Sequence, residues 1–126
     1  MNRTIQTTVL LALVVTAASS AATQSPDEER RAAITLLRAI NTAEAAVVRS
    51  GHYVSLPELI DHASMARVKP NIVVDGSAIT YQGAQVRLAL SGDAKQYVVT
   101  VVTGAPNYTA AFSDERGVIY TGKALE

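Results

Sequence analysis

Few side chains in this sequence could carry out chemistry, and the two histidines are the first to consider. His52 and His62 lie ten residues apart, and a metal ion would need a third ligand, which Glu58 or Asp61 could supply only if the fold brought it close. No segment shows a nucleophile–histidine–acid order, a phosphate-binding glycine loop or a pair of buried acids. We therefore interpret both histidines as solvated or capping side chains and predict no catalytic, cofactor-binding or metal-binding residues.

The remaining polar candidates have structural interpretations. Asp93, Asp114 and Glu115 lie in predicted turns without the dense run of Asp and Asn that calcium loops need, although calcium binding around Asp114 stays open. Glu44 lies at the edge of an apolar stripe, and we expect a partly buried carboxylate that accepts hydrogen bonds from backbone amides. The tripeptide Asn107–Thr109 matches a glycosylation sequon, but we interpret it as a turn.

Composition excludes several classes of protein. The chain has 126 residues, no cysteine, eleven Lys and Arg and eleven Asp and Glu, so its formal net charge is zero. Without cysteine it has no disulfide, no thiolate metal site and no lipidated N-terminal cysteine. Balanced charge argues against nucleic acid or an anionic membrane as a partner held by bulk electrostatics. The length is enough for one domain.

Residues 1–22 are predicted to be a secretory signal peptide. Arg3 lies beside the start, Val9–Val15 is an apolar run, and small residues follow it, which is the order found in export signals. The small residues permit cleavage before Thr23 or before Ala21. The alternative is an uncleaved membrane anchor, because the uncharged stretch is about long enough to span a bilayer.

Cleavage before Thr23 would leave one domain, residues 23–126. It would remove Arg3 and no acid, so ten basic and eleven acidic residues would remain, for a net charge of −1. We expect this domain to be periplasmic or secreted and to have no membrane contact after cleavage.

The most secure element is a helix from about Pro26 to Ser50. Ser25 can cap it, Pro26 suits its first position, and acids follow in its first turn. Gly51 is predicted to end it. Its apolar residues recur at spacings of three and four, and they are Ala33, Leu36, Leu37, Ile40, Ala43 and Val47.

A connector with one short helix, capped by Ser55, is predicted over Tyr53–Ala66, and the apolar period then changes to two. Glycine-containing turns recur every 8–12 residues, with Asp75–Gly76 as the first hairpin turn. The predicted strands are 72–74, 78–82, 85–90, 96–103, 108–112 and 118–120. In the third, Val86, Leu88 and Leu90 are expected to be buried. A helix stripe covering one face of an antiparallel meander predicts an α+β domain of two layers.

The five tyrosines fall mostly in these strands or in the connector. We expect them to pack with their hydroxyl groups in water, and an exposed pair of tyrosines could form a binding patch. They are Tyr53, Tyr81, Tyr97, Tyr108 and Tyr120.

Several segments resemble a known family in the order in which that family has them. They are the helix run Leu37–Glu44, the connector motifs Gly51–Tyr53 and Ser55–Leu59, and the strand motifs Tyr97–Thr100 and Phe112–Ile119. Together they resemble the globular domain of type IV pilin-like proteins and pseudopilins. The resemblance implies a long helix packed on an antiparallel sheet. No glycine precedes Gly51 and no acid precedes Asp27, so the prepilin processing motif and hydrophobic stalk of that family are missing.

The sequence therefore predicts an exported, non-enzymatic, pilin-like structural or protein-interaction protein of the bacterial cell envelope. It would act through protein contacts on its sheet face or its helix, and its partners would be envelope proteins, such as secretion or pilus components. The alternative is a soluble periplasmic binding module for a small ligand or a metal ion.

Overall fold

The computed structural model describes residues 24–125 and has the predicted α+β architecture. One long helix packs against a six-stranded antiparallel sheet whose strands follow one another in sequence order. The predicted signal peptide, residues 1–22, lies outside the described residues. The helices are α1 (Pro26–Val47) and α2 (Leu56–Leu59), and the strands are β1 (Ile72–Asp75), β2 (Ala78–Tyr81), β3 (Ala84–Leu90), β4 (Tyr97–Val102), β5 (Thr109–Asp114) and β6 (Ile119–Lys123).

Helix α1 begins and ends where its local signals predict. The hydroxyl of Ser25 accepts a hydrogen bond from the backbone N–H of Glu28 at 3.2 Å, which satisfies one of the amides that a helix start leaves without an intrahelical partner. At the other end, a 3₁₀ turn over Val48–Ser50 leads into Gly51, whose φ of 119° lies in the left-handed region. A residue with a Cβ rarely adopts that conformation, so glycine ends the helix here.

The connector is more helical than its sequence predicts. Helix α2 is followed by 3₁₀ turns at Ala63–Met65 and Lys69–Asn71, and its Leu59 is fully buried, as is Met65. Ser55 occupies the N-cap position of α2 as predicted, but its hydroxyl donates to the Glu58 carboxylate at 3.1 Å and accepts no backbone N–H. A side chain engaged with a nearby carboxylate is not oriented to cap the helix.

The first two hairpins show how turn chemistry sets the register. The β1–β2 loop is Gly76–Ser77, one residue later than predicted, because Asp75 still pairs with Ala78. The next loop is Gln82–Gly83, where both residues have a positive φ, of 48° and 83°. Two positive φ angles are the mark of a type I′ turn, whose twist matches that of the flanking strands.

The core lies between α1 and the inner face of the sheet. The helix runs mainly over β5, with β4 and β6 on either side of it. Its apolar stripe meets alternate residues of the strands, and buried residues of the connector join the same core. The most deeply buried side chains are Leu36, Leu37, Ile40, Leu59, Met65, Val68, Val99 and Val101.

The prediction that Leu90 is buried is wrong. Its side chain alternates with those of Val86 and Leu88 as predicted, yet it is 36 % exposed. It lies at the end of β3, and β3 is two strands away from β5, over which the helix runs. Alternation therefore identifies the face to which a residue belongs, whereas burial depends on how far the covering helix extends.

Candidate functional site

The structure does not bring the two histidines and their neighbouring acids into one cluster. His52 is exposed, and His62 caps the 3₁₀ turn after it, with its Nδ1 accepting the N–H of Ser64 at 3.1 Å. Asp61 pairs instead with the ammonium group of Lys69 at 2.6 Å. Among residues 24–125, no three His, Asp or Glu side chains lie close enough to one another to hold a metal ion.

The turn acids have local partners. Asp93 accepts hydrogen bonds from the Ser91 hydroxyl at 2.7 Å and from the Lys95 amide at 3.1 Å, and these bonds lower its pKa. The guanidinium of Arg116 lies 2.9 Å from an Oδ atom of Asp114 and lowers the pKa of that carboxyl. In both cases the carboxylate organises its own turn.

Glu44 is more deeply buried than its sequence pattern predicts. Its side chain is fully buried, and Oε1 accepts the backbone N–H of Val54 at 3.0 Å, which ties the connector to α1. Oε2 has no hydrogen-bond partner among the described residues. Burial raises the pKa of this carboxyl, the Val54 amide opposes that effect, and the nearby charge of Glu58 adds to it. The predicted bond to the backbone is confirmed, but it is made by one carboxylate oxygen only.

A second buried polar group joins the helix to the sheet. The Tyr97 hydroxyl donates to Oδ1 of Asn41 at 2.6 Å, and Nδ2 of Asn41 donates to the Ser113 hydroxyl at 2.8 Å. The Ser113 hydroxyl in turn donates to the carbonyl of Val118 at 2.9 Å. The prediction that the tyrosine hydroxyls lie in water is wrong for Tyr97, which is 3 % exposed. Burial raises its pKa, and the charge of Glu44 raises it further.

These polar groups are structural, so the candidate functional site is the face of the sheet that α1 does not cover. We call it the outer sheet face. Its central row contains one residue from each of four neighbouring strands, in the order Arg87, Thr100, Phe112 and Tyr120. The residues two positions away on each strand complete it, and they are Gln85, Ala89, Val98, Val102, Ala110, Asp114 and Gly122.

Part of the outer sheet face exposes apolar side chains to water. Val98, Phe112 and Tyr120 are 49, 47 and 43 % exposed, so about half of each residue is accessible to solvent. The rings of Phe112 and Tyr120 stack with their centroids 5.0 Å apart. An antiparallel sheet with one side in water usually alternates apolar and polar residues. A contiguous exposed apolar patch on a small protein is typical of an interaction surface.

Sequence reasoning offered the sheet face or the helix for protein contacts but did not identify the residues of this surface, although β4 carries a signal for it. Its sequence, Tyr-Val-Val-Thr-Val-Val, is apolar on both faces. Such a continuous apolar run is typical of a strand whose two faces are both covered. In β4 the helix covers one of the two faces, and the other face is exposed at Val98. The aromatic pair could not be found in the same way, because Phe112 and Tyr120 become neighbours only through the register of β5 with β6.

In the part of the chain that the structure describes, no helix combines the length and the apolar character that a membrane span requires. The sequence matches no family model, and no curated protein or solved structure is significantly similar to it. The resemblance to pilin-like proteins therefore stays a prediction from the sequence motifs.

Proposed function

We propose that this is an exported, non-enzymatic, pilin-like protein of the bacterial cell envelope, which acts by binding protein through its outer sheet face. The observation that carries the proposal is the stacked pair of Phe112 and Tyr120, exposed beside Val98 on a sheet whose other face is already filled by the helix. Aromatic side chains are enriched in protein interfaces, where they contribute much of the binding energy.

The arrangement of the elements supports the pilin-like part of the proposal. The resemblance implies a long helix followed by an antiparallel sheet, and α1 followed by β1–β6 has that order. A pilin-like head without the filament-forming stalk would act as a periplasmic or secreted protein. Its binding surface would then be the sheet and not the helix, because the apolar stripe of α1 is used in the core.

Photo-cross-linking in cells tests the interaction surface. A photoreactive phenylalanine analogue at position 112 is expected to form protein adducts in the envelope fraction, because Phe112 lies within the outer sheet face. The matched control is the same analogue at Val74, which is 54 % exposed but lies in β1. Adducts of equal strength at both positions, or none at position 112, would contradict the proposal.

The mass of the protein recovered from the exported fraction tests the localisation. Removal of the leader is expected to leave a chain that begins at Thr23 or Ala21, because small residues precede both positions. Intact-mass measurement identifies the first residue directly. A protein that is found only in the cytoplasm with Met1 retained would rule out export.

A further inference from the structure

We infer that the protein that covers the outer sheet face is a second copy of this chain, which forms a two-fold dimer by packing sheet on sheet. The inference rests on the proposed function, since it names the partner of the same surface. It follows from the distribution of large, small and charged side chains over that surface, which is complementary to itself.

The residues of the central row show how the surface of one copy can match the same surface of a second copy. Arg87 lies at one end of the row on β3, and Tyr120 lies at the other end on β6, with Thr100 and Phe112 between them. Neighbouring strands are about 4.8 Å apart, so the row is about 14 Å long. A two-fold axis parallel to the strands, between β4 and β5 and within the plane of contact, exchanges β3 with β6 and β4 with β5. Closed two-fold contacts of this kind are the commonest in oligomers.

Under that symmetry the large side chains of the central row and of one neighbouring row face ones that can receive them. Phe112 of one copy faces Thr100 of the other, so a ring meets a small side chain, and Val102 faces Ala110 in the same way. In the third row Val98 faces Asp114, whose carboxylate is held by Arg116. Arg87 faces the ring of the second copy's Tyr120. A guanidinium over an aromatic face is a favourable cation–π arrangement, and alternating large and small residues lets two sheets interdigitate about 10 Å apart.

The charge of Arg87 supports this arrangement. Its side chain is exposed and forms no ion pair within residues 24–125. The other charged side chain on the surface, Asp114, is already paired with Arg116 at the edge of the apolar area. The surface therefore presents one cation without an ion-pair partner, Arg87, and one stacked aromatic pair. The two-fold axis creates two equivalent contacts, each between Arg87 of one copy and Tyr120 of the other.

The size of the surface sets the strength of the dimer. Three rows of side chains across four strands cover roughly 400 Å² per copy, or about 800 Å² in total, which is below the range of about 1,200–2,000 Å² for stable interfaces. We therefore expect a reversible dimer that dissociates on dilution into the low micromolar range.

Sedimentation equilibrium of protein purified from cells that express the full chain measures this dimer. The weight-average mass is expected to rise with concentration from one chain toward two. Arg87→Glu should weaken dimerisation about tenfold or more, because a carboxylate would replace the cation over the ring, and a tenfold change corresponds to about 1.4 kcal/mol. The matched control is Arg67→Glu, another exposed arginine outside the sheet, which should leave the dissociation constant unchanged.

Cysteine cross-linking tests the arrangement of the two copies in the dimer. The chain has no natural cysteine, so only the introduced cysteine can react. In the proposed dimer the two copies of Thr100 are offset sideways by about 5 Å, whereas the two copies of Val73, on β1, are offset by about 34 Å. A short bismaleimide linker should therefore join Thr100→Cys chains efficiently and Val73→Cys chains hardly at all.

The outcomes separate this inference from the proposed function. A protein that stays monomeric at every concentration overturns the dimer, as does equal cross-linking at positions 100 and 73 or equal weakening by the two arginine variants. If photo-cross-linking at position 112 then yields adducts with other envelope proteins, the proposed function stands without the dimer. An adduct of twice the chain mass supports both, whereas a dimer in solution with no adduct in cells leaves the dimer and removes the proposed function.

Discussion

Replacing Asn41 with leucine is expected to lower the free energy of unfolding by about 2–3 kcal/mol, because a buried polar group that loses its partner costs about 1–3 kcal/mol. The substitution keeps the branched shape of the side chain, with a somewhat larger volume, but removes the acceptor for the Tyr97 hydroxyl and the donor to the Ser113 hydroxyl. Ser113 keeps its bond to the carbonyl of Val118, so the larger part of the loss is at Tyr97. The midpoint of thermal unfolding should fall by about 10 °C or more in a domain of this size.

A double-mutant cycle shows whether the loss comes from the hydrogen bond. Tyr97→Phe removes the hydroxyl that Asn41→Leu leaves without a partner, so the double variant should recover part of the stability. We expect a coupling energy of about 1–2 kcal/mol, which is in the range for side chains in one network. Thr42→Ala is the control, because Thr42 is exposed on the same helix and bonds only to the carbonyl of Arg38. Strictly additive losses would contradict a shared network.

Stability is expected to decrease as the pH rises above about 4.5, and Glu44→Gln should remove that decrease. Burial raises the pKa of Glu44 above its ordinary value of 4.5. At a pH between the pKa of Glu44 in the unfolded chain and its higher pKa in the folded protein, the folded protein holds a proton that the unfolded chain has released. The free energy of unfolding therefore falls as the pH rises through this range. The stabilising effect of the neutral carboxyl is complete at a pH below the pKa of Glu44 in the unfolded chain. It is lost as the pH rises through the higher pKa of Glu44 in the folded protein.

The glutamine variant isolates this effect because it keeps an oxygen to accept the N–H of Val54 but carries no charge. At high pH the variant should be more stable than the natural protein, because the NH2 group that replaces the partnerless oxygen is uncharged and costs less to bury than a charged oxygen. Urea unfolding at a series of pH values measures the difference. Glu58→Gln is the matched control, since Glu58 is the smallest contributor to the raised pKa, and it should keep most of the slope. Parallel curves for the natural protein and Glu44→Gln would show that Glu44 is solvated.

The other acids whose pKa is shifted affect stability in a different pH range, so they do not interfere with the measurement of the Glu44 effect. The pKa values of Asp93 and Asp114 are lowered from 3.8 by their hydrogen-bond partners. Their contributions are therefore present above 3.8 and are lost only as the pH falls through the lower folded values. The decrease attributed to Glu44 lies on the opposite side, at higher pH.

Local sequence signals predicted the elements of this fold well, because the forces that start and stop them act over a few residues. Ser25 and Gly51 determine the two ends of the long helical segment through one cap and one left-handed residue. The spacing of its apolar residues predicts its buried face. The turn glycines similarly place the strands, with errors of one to three residues at their ends, because a hairpin loop is defined by pairing across the strands. Asp75 shows this, since only its pairing with Ala78 moves the loop to Gly76–Ser77.

The contacts of the helix with the sheet and the connector were less predictable, because the residues that meet there are distant in the chain. Asn41 and Tyr97 meet through a contact across 56 residues, and no local pattern indicates it. The predicted exposure of the Tyr97 hydroxyl was wrong for that reason, and the predicted burial of Leu90 was wrong because the helix lies over β5 and not over β3. The hydrogen bond of Glu44 to the backbone was predicted correctly, but its full burial was not, because the connector that covers it lies outside the helix.

The sequence by itself determined a long capped helix, six short strands and an antiparallel order, because periodicity and turn residues are properties of neighbouring positions. Only the tertiary structure decided which face of the sheet the helix covers and which side chains meet on the other face. Side chains on adjacent strands become neighbours through the register of hydrogen bonds between strands, and that register depends on the whole sheet. Phe112 and Tyr120 therefore form an exposed pair in the folded protein, whereas in the sequence they are two separate aromatic residues.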